Sequence, residues 1–341
     1  MVVSNRNDLN VEVLRLFAVL SVILVHMSMG YFYSLMGSGE SLYWSVNSFY
    51  FSVTRFCVPI FFIASAYLAF TYESKSTWLQ KLKKLMVPYL AWSIIYFYWN
   101  GGSSVFDLIS KTFLATTSFH LWFIPAFIGF SIILPIIKSA FTEENKERFR
   151  HIVVFVFMFI VLIPTIVTAF NVVTGTDHSY LYAINQFCLA LPAYLIYALA
   201  FPYLHKRINP KKGLFAFLTL VLINWGVVTS LSLHNNKPDE YLYGYTTLFV
   251  FFESFIIFNV ITSIDMSSMN KKISSFVKSV GNCSFGIYLC HWLIFEVLNR
   301  NSLIVHEHPL LAPLVNTLIV FTASYLFVYL LKKVKYVNRL I

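Results

Sequence analysis

Residues 11–33 read VEVLRLFAVLSVILVHMSMGYFY, an apolar run that nevertheless carries Glu12, Arg15 and His26. A helix that crosses a hydrocarbon core of about 30 Å needs about 20 mostly apolar residues, and this run supplies them. No small-residue cleavage site follows it, so it reads as a retained span and not as a signal peptide. Nine further runs match it in kind, at 47–71, 85–99, 119–138, 151–171, 181–202, 213–231, 242–264, 280–300 and 309–331. The run at 85–99 is the shortest and is opened by Pro88. Backbone groups in lipid must be bonded internally, so the spans are expected to be helices. The pattern predicts an all-α polytopic membrane protein of about ten transmembrane helices, with residues 1–341 forming a single domain.

Composition agrees. The 341 residues are 58% hydrophobic and 12% charged, against about 25% charged in a soluble domain. That excludes a disordered, collagen-like or disulfide-rich secreted chain and argues against a cytosolic enzyme. Cys57, Cys188, Cys283 and Cys290 sit in apolar runs without zinc-type spacing and read as small buried hydrophobes.

Where the charges lie sets the direction. Of the 25 Lys and Arg, 20 fall at the N-terminus, in the loops after spans two, four, six and eight, and in the C-terminal tail. The opposite loops hold only Lys111, Lys237 and Arg300, while Arg15 and Arg55 lie within spans. The positive-inside rule then predicts that both termini are cytoplasmic and that the spans are even in number. The net charge of +10 is thereby topological, and nucleic acid is not an expected partner.

Ionisable groups within a bilayer are functional candidates by default. Arg15 and His26 are eleven positions apart, which places them within about 20° of one helix face and about 16 Å apart along it. Glu12 can pair with Arg15 one turn away. Snorkelling for Arg15 and helix packing for His26 are the ordinary alternatives. The shared face favours a cytoplasmic cation linked to a mid-membrane base. Arg55 is expected roughly 10 Å deep in span two, just before Pro59, which frees a carbonyl and kinks the helix. Lys81 and Lys84 share a helix face at the cytoplasmic edge of span three, either as a phosphate clamp or as topology-setting charges. His120 is expected at the outer mouth of span four beside Trp122, and His291 within span nine three residues after Tyr288. Glu253 in span eight is either a partner for one of these cations or a protonated packing group. Glu296 completes the set in span nine. His306 and His308 flank Glu307 in an outer loop, too isolated for a metal site, and no metal is expected.

Five strings in register resemble the acyltransferase-3 family of integral membrane acyltransferases, over nearly the whole chain. They are Arg15, ten residues, His26; Val58-Pro59-Ile-Phe61-Phe62-Ile-Ala-Ser65-Ala66-Tyr67; Lys81-x-x-Lys84 before Pro88-Tyr89; His120-Leu121-Trp122-Phe123; and Ser284-x-Gly286-Ile287-Tyr288-Leu289-x-His291. Ala66 and the two lysines depart from the family's usual glycine and arginines. The resemblance implies transfer of an acyl group, usually acetyl, from cytoplasmic acyl-CoA to a glycan hydroxyl at the outer face. His26 would serve as general base, with an acyl-His intermediate as the other chemistry. Arg15, Lys81 and Lys84 would hold the acyl-CoA. Arg55, Ser65, Tyr67, His120, Trp122, Glu253, Tyr288 and His291 are the candidates for lining the acceptor or active site. Acetyl-CoA is expected as donor substrate, with no tightly bound cofactor. The expected setting is a bacterial inner membrane, with a glycan or lipid-linked glycan acceptor and polysaccharide-assembly proteins as candidate partners. The chain is expected to lack the soluble hydrolase-like domain that some members carry. Two rivals are a glycan or solute transporter, against which the lack of visible repeats argues, and a non-catalytic scaffold, which would not need an ionisable face in span one.

Overall fold

The computed structural model describes residues 8–73, 77–175 and 193–341, and every regular element among them is helical. Arg6, Lys75, Cys188 and residues 181–192 of the sixth expected span lie outside the described residues. In chain order the helices are α1 (Leu9–Ser34), α2 (Ser41–Thr54), α3 (Cys57–Thr71), α4 (Trp78–Trp99), α5 (Val105–Leu114), α6 (Phe123–Ala140), α7 (Lys146–Phe157) and α8 (Ile163–Thr174). They continue with α9 (Leu195–Leu204), α10 (Pro210–Asn235), α11 (Leu248–Ser263), α12 (Lys271–Arg300) and α13 (Ala312–Leu331).

Eight helical stretches among the described residues are long and apolar enough to cross a membrane. The architecture is therefore that of an all-α polytopic membrane protein. α2 and α3 form one such stretch, Ser41–Thr71, broken at Arg55–Phe56 as Pro59 requires. α7 and α8 form another, joined through a π-turn at Met158–Leu162. Two of the ten expected spans fall outside the eight. α4 is present as a 22-residue helix, but its first turns carry Lys81, Lys83 and Lys84. α9 is a ten-residue apolar helix, the described remainder of the sixth span.

α1 is the axis of the bundle, packed against α2, α3, α11, α12 and α13. Asp8 caps it, accepting from the Asn10 N–H at 3.0 Å. The Asn10 side chain then donates to the carbonyls of Ile261 and Ile264 at the end of α11. α4 begins on a reciprocal capping box between Thr77 and Gln80. α3 and α6 pack together beside α1, and α6 also receives α4 and α9. This arrangement leaves room between α1, α3, α4, α6 and α12, and the site lies there.

α1 and α12 approach closely at Gly281. A Cβ built there would fall on the Glu12 carboxylate, whereas one built at Gly30 meets nothing within 4 Å. Gly281→Val is therefore expected to cost about 2 kcal/mol through overpacking, read as a lowered unfolding temperature in detergent. Glu12→Ala should recover part of that loss, and Gly30→Ala should be neutral or slightly stabilising.

Candidate active site

Three neighbouring cavities lie beside α1, each sharing lining residues with the next. The widest, about 700 Å³, is lined by Glu12 and Arg15 of α1, Ser65 of α3, Lys81 and Lys84 of α4, and Lys138 of α6. A second, about 290 Å³, shares Arg15, Ser65, Leu85, Phe127 and Asn282 with it and extends to Phe123 and Tyr288. The third, about 30 Å³, shares Phe123 and Tyr288 with the second and is lined by His26, Cys57, His120, Trp122 and Tyr245. The lining thus passes from basic to apolar to imidazole along one line.

At the wide end, Arg15 Nη1 donates to Glu12 Oε1 at 2.8 Å, the expected one-turn pair. Ser65 belongs to both wider cavities. Lys138, which the sequence marked only as a topology charge, faces the same space as Lys81 and Lys84. Its place on α6 becomes visible only when α4 and α6 pack together.

At the narrow end three imidazoles meet. The His26 and His291 rings stack at 5.3 Å, and the His120 ring stands edge-on to His291 at 5.0 Å. His120, just ahead of α6, is buried, at 2% exposure. The reason is local: Phe119–Trp122 form a 3-10 turn ahead of α6, which folds His120 inward. Its Nδ1 lies 3.0 Å from Ser118 Oγ, and its backbone carbonyl accepts from the Tyr288 hydroxyl. His291 Nδ1 donates to the Tyr288 carbonyl at 2.7 Å, which leaves Nε2 as the acceptor nitrogen. His26 Nδ1, His120 Nε2 and His291 Nε2 are all buried without a hydrogen-bond partner. Buried polar atoms are seldom left so, and here three converge on one place. Phe119, 5.1 Å from His26, and Trp292, 6.0 Å away, hold the ring edge-on. Among the described residues no group of three or more His, Cys, Asp or Glu side chains is placed to hold a metal ion.

α12 is shaped for this cluster by Tyr96 of α4. The Tyr96 hydroxyl donates to the Leu289 carbonyl at 2.9 Å and accepts from the Leu293 N–H at 3.1 Å. These are the two groups that pair with each other in a regular helical turn, and His291 lies between them.

Beyond the imidazoles, Arg55 closes the site. It is 7% exposed, stacked 4.1 Å from the Phe51 ring centre and flanked by Tyr245 and Tyr243 at 5.3 and 5.6 Å. Its polar partners are distant: Tyr245 Oη at 3.4 Å and Glu240 Oε2 at 3.7 Å, with Nε unpartnered. Tyr245 also stacks on Trp122, with ring centres 5.8 Å apart. Its backbone carbonyl accepts from the Tyr197 hydroxyl.

Two candidates lie elsewhere. Tyr67 donates to Asp8 Oδ2 at 2.7 Å and packs on His205 and Phe258, so it serves the start of α1 and lines none of the three cavities. Glu253 is fully buried between α10 and α11 near Asn224, pairs with no cation, and likewise lines none of them. The carboxylate facing Arg55 is Glu240. Glu296 accepts from the indoles of Trp292 and Trp99 and acts in packing. Cys57 and Tyr245 were missed among the site residues; the only sequence signal was the position of Cys57 between Arg55 and Pro59.

A family model described as an acyltransferase domain matches residues 8–333 of the chain. No curated protein matches, and no solved structure matches.

Removing the Tyr96 hydroxyl takes one hydrogen bond each from the Leu289 carbonyl and the Leu293 N–H. Tyr96→Phe is expected to lower stability by about 1–2 kcal/mol, visible as a lower unfolding midpoint in detergent. Tyr98→Phe, which alters an exposed ring on the same helix, should leave the midpoint unchanged.

Proposed function

Since the chain belongs to the acyltransferase-3 family, we propose that this membrane acyltransferase moves an acyl group from acyl-CoA at its basic end to a glycan hydroxyl at the opposite face. The reading rests chiefly on one observation, the succession of neighbouring cavities, with lining residues in common, from Arg15, Lys81 and Lys84 to His26. By the distribution of Lys and Arg the basic end faces the cytoplasm, where acyl-CoA is found.

The donor's chemistry suits that succession. Its phosphorylated head carries several negative charges, and its arm is long, narrow and uncharged. The cavity of about 700 Å³ offers Arg15, Lys81, Lys84 and Lys138 to the head. The adjoining cavity of about 290 Å³, lined by Phe61, Phe123, Phe127 and Phe285, suits the arm. Arg15 and His26 are about 16 Å apart along α1, which is the order of distance such an arm spans. The thioester then lies against the imidazoles.

His26 takes the proton of the acceptor hydroxyl. Its Nδ1 has no competing partner, and a neutral imidazole nitrogen can take up a proton and hand it on. The hydroxyl oxygen attacks the acyl carbon, the carbon–sulfur bond breaks, and the departing CoA thiolate recovers the proton from His26. His120 Nε2, also unpartnered at this space, is placed to hold the hydroxyl or the carbonyl oxygen. The acceptor would be a cell-envelope or exported glycan, reaching His26 from the Arg55 side.

Purified protein in detergent, supplied with labelled acetyl-CoA, tests the reading through binding and CoA release. A protein that does neither sinks it. His26→Ala, if folded, is expected to lower turnover by about 10²–10⁴-fold with little change in acetyl-CoA binding. Lys81→Gln with Lys84→Gln is expected to raise the KM for acetyl-CoA about tenfold or more while leaving kcat nearly unchanged. An unaltered KM would return both lysines to setting topology.

A further inference from the structure

We infer that Arg55 is an anion subsite for the acceptor: the glycan carries a carboxylate, and that carboxylate takes the place of Glu240 at the Arg55 guanidinium. The inference rests on the acyl-transfer reading above and names the chemical class of its acceptor, an acidic sugar.

Arg55 is poorly paired for a cation at its depth. Its side chain is 9% exposed, and a guanidinium so placed is costly unless oxygens meet its N–H donors. Two polar atoms approach it, Tyr245 Oη at 3.4 Å and Glu240 Oε2 at 3.7 Å. Both contacts are longer than a charge-assisted hydrogen bond. Nε is buried with no partner at all. The faces of Phe51 and Tyr243 attract the cation without giving its N–H groups an oxygen. A guanidinium fork matches a carboxylate through two parallel N–H···O bonds, and that match is not made here.

The place of Arg55 assigns it to the acceptor. Glu240 lies on the loop between α10 and α11, and Lys237 of that loop is one of the few basic residues on the face opposite the cytoplasm. The Tyr33 hydroxyl of α1 is a hydrogen-bonding neighbour of the Glu240 carboxylate. Tyr33 follows His26 by seven positions, which puts the two within about 20° of one helix face and about 10 Å apart along it. Arg15 shares that face on the other side of His26, about 16 Å away. The donor's phosphates are met at the Arg15 end, so the anion-binding group two turns beyond His26 is left for the acceptor. Tyr245 joins the two places, since its hydroxyl faces Arg55 and it lines the narrow cavity with His26. Arg55 is also within electrostatic range of His26.

The carboxylate already beside Arg55 is held loosely enough to leave. The Glu240 side chain is half exposed and its contact with Arg55 is long, and an exposed ion pair of that kind contributes little. One carboxylate replaces another, so the charge around Arg55 is the same before and after. A neutral sugar offers no such exchange: it leaves Glu240 where it is and the guanidinium short of oxygens. Arg55 makes and breaks no covalent bond in this scheme. It fixes the acidic end of the acceptor, and a hydroxyl further along the same glycan is then presented to His26 for the direct attack described above.

Calorimetric titration of the full-length protein in detergent with methyl glucuronide, methyl glucoside and glucose 1-phosphate, without donor, tests this. Methyl glucuronide is expected to bind about tenfold or more tightly than methyl glucoside, as hydrogen bonds to a charged group imply. Arg55→Gln is expected to erase that difference by weakening the glucuronide alone. Arg55→Lys, which keeps the charge without the fork, should restore part of it. Glu240→Gln removes the competing carboxylate and should tighten glucuronide binding about threefold, a gain that a purely structural pair would not give. Retained acetyl-CoA binding marks each variant as folded, and the wild-type protein and Glu240→Gln carry the test if Arg55→Gln is not. Equal binding of glucuronide and glucoside, binding of neither, or tighter binding of the phosphate overturns the subsite. So does an Arg55→Gln protein that keeps the preference. The acyl-transfer reading survives any of these where acetyl-CoA is bound and CoA released. Wild-type protein that selects the glucuronide but neither binds acetyl-CoA nor releases CoA overturns the transfer reading and leaves a site for an acidic sugar.

Discussion

The pairing of Glu12 with Arg15 is the interaction on which the arrangement rests. A lone carboxylate or guanidinium inside an apolar bundle is costly, and a partner one turn away on the same helix offsets much of that cost. With Oε1 engaged by Arg15 at 2.8 Å, the Glu12 side chain lies flat against Gly281, where a larger residue would overlap it. α1 and α12 are thereby brought together at that level. Two helices in contact at one end and packed along their length have their register fixed. About three turns further on, His26 meets His291 with ring centres 5.3 Å apart. An ion pair at the wide end of the site thus helps to position the imidazoles at the narrow end.

The same dependence separates what was legible in the sequence from what was not. Arg15 and His26 belong to one helix, so their spacing alone placed them on one face, and the cavities follow that face. Pro59 acts on its own turn, and the break at Arg55–Phe56 was readable from it. Features made by two elements were not readable. His120 was open to two readings, an interfacial anchor beside Trp122 or a residue lining the site, and the 3-10 turn at Phe119–Trp122 with the burial of its ring favours the second. Glu253 was left as either a cation's partner or a packing group; it is buried without a cation, and Arg55 faces Glu240, on the loop ahead of α11. Tyr67 follows the site motif in sequence and serves the α1 cap instead. Cys57 read as a buried hydrophobe and is buried, but it also lines the narrow cavity together with His26, His120 and Tyr245.

Polarity and width change together along the site. Where the cavity is wide, at about 700 Å³, its walls carry fixed positive charges that water and counter-ions can screen. Where it is narrow, the walls carry imidazoles, a thiol, tyrosines and apolar side chains, and no Lys or Arg is among them. The lysines and Arg15 are thus gathered at the wide end, and the hydrogen-bonding side chains without fixed charge at the narrow one.

Arg55 is the exception, and its surroundings explain how it is tolerated. Its contacts with Tyr245 and Glu240, at 3.4 and 3.7 Å, are longer than the roughly 2.7–2.9 Å of a strong charge-assisted hydrogen bond. The faces of Phe51, Tyr243 and Tyr245 supply what those contacts lack, since a ring face attracts a cation. Arg55 is therefore held by π-faces more than by an acid, and its unpartnered Nε retains the capacity to donate. One of those faces reaches the narrow cavity: Tyr245 lines it and stacks on Trp122, which lines it too. The ring that helps to hold Arg55 is thereby also a wall of the space beside His26, so a change at Arg55 reaches that space through Tyr245.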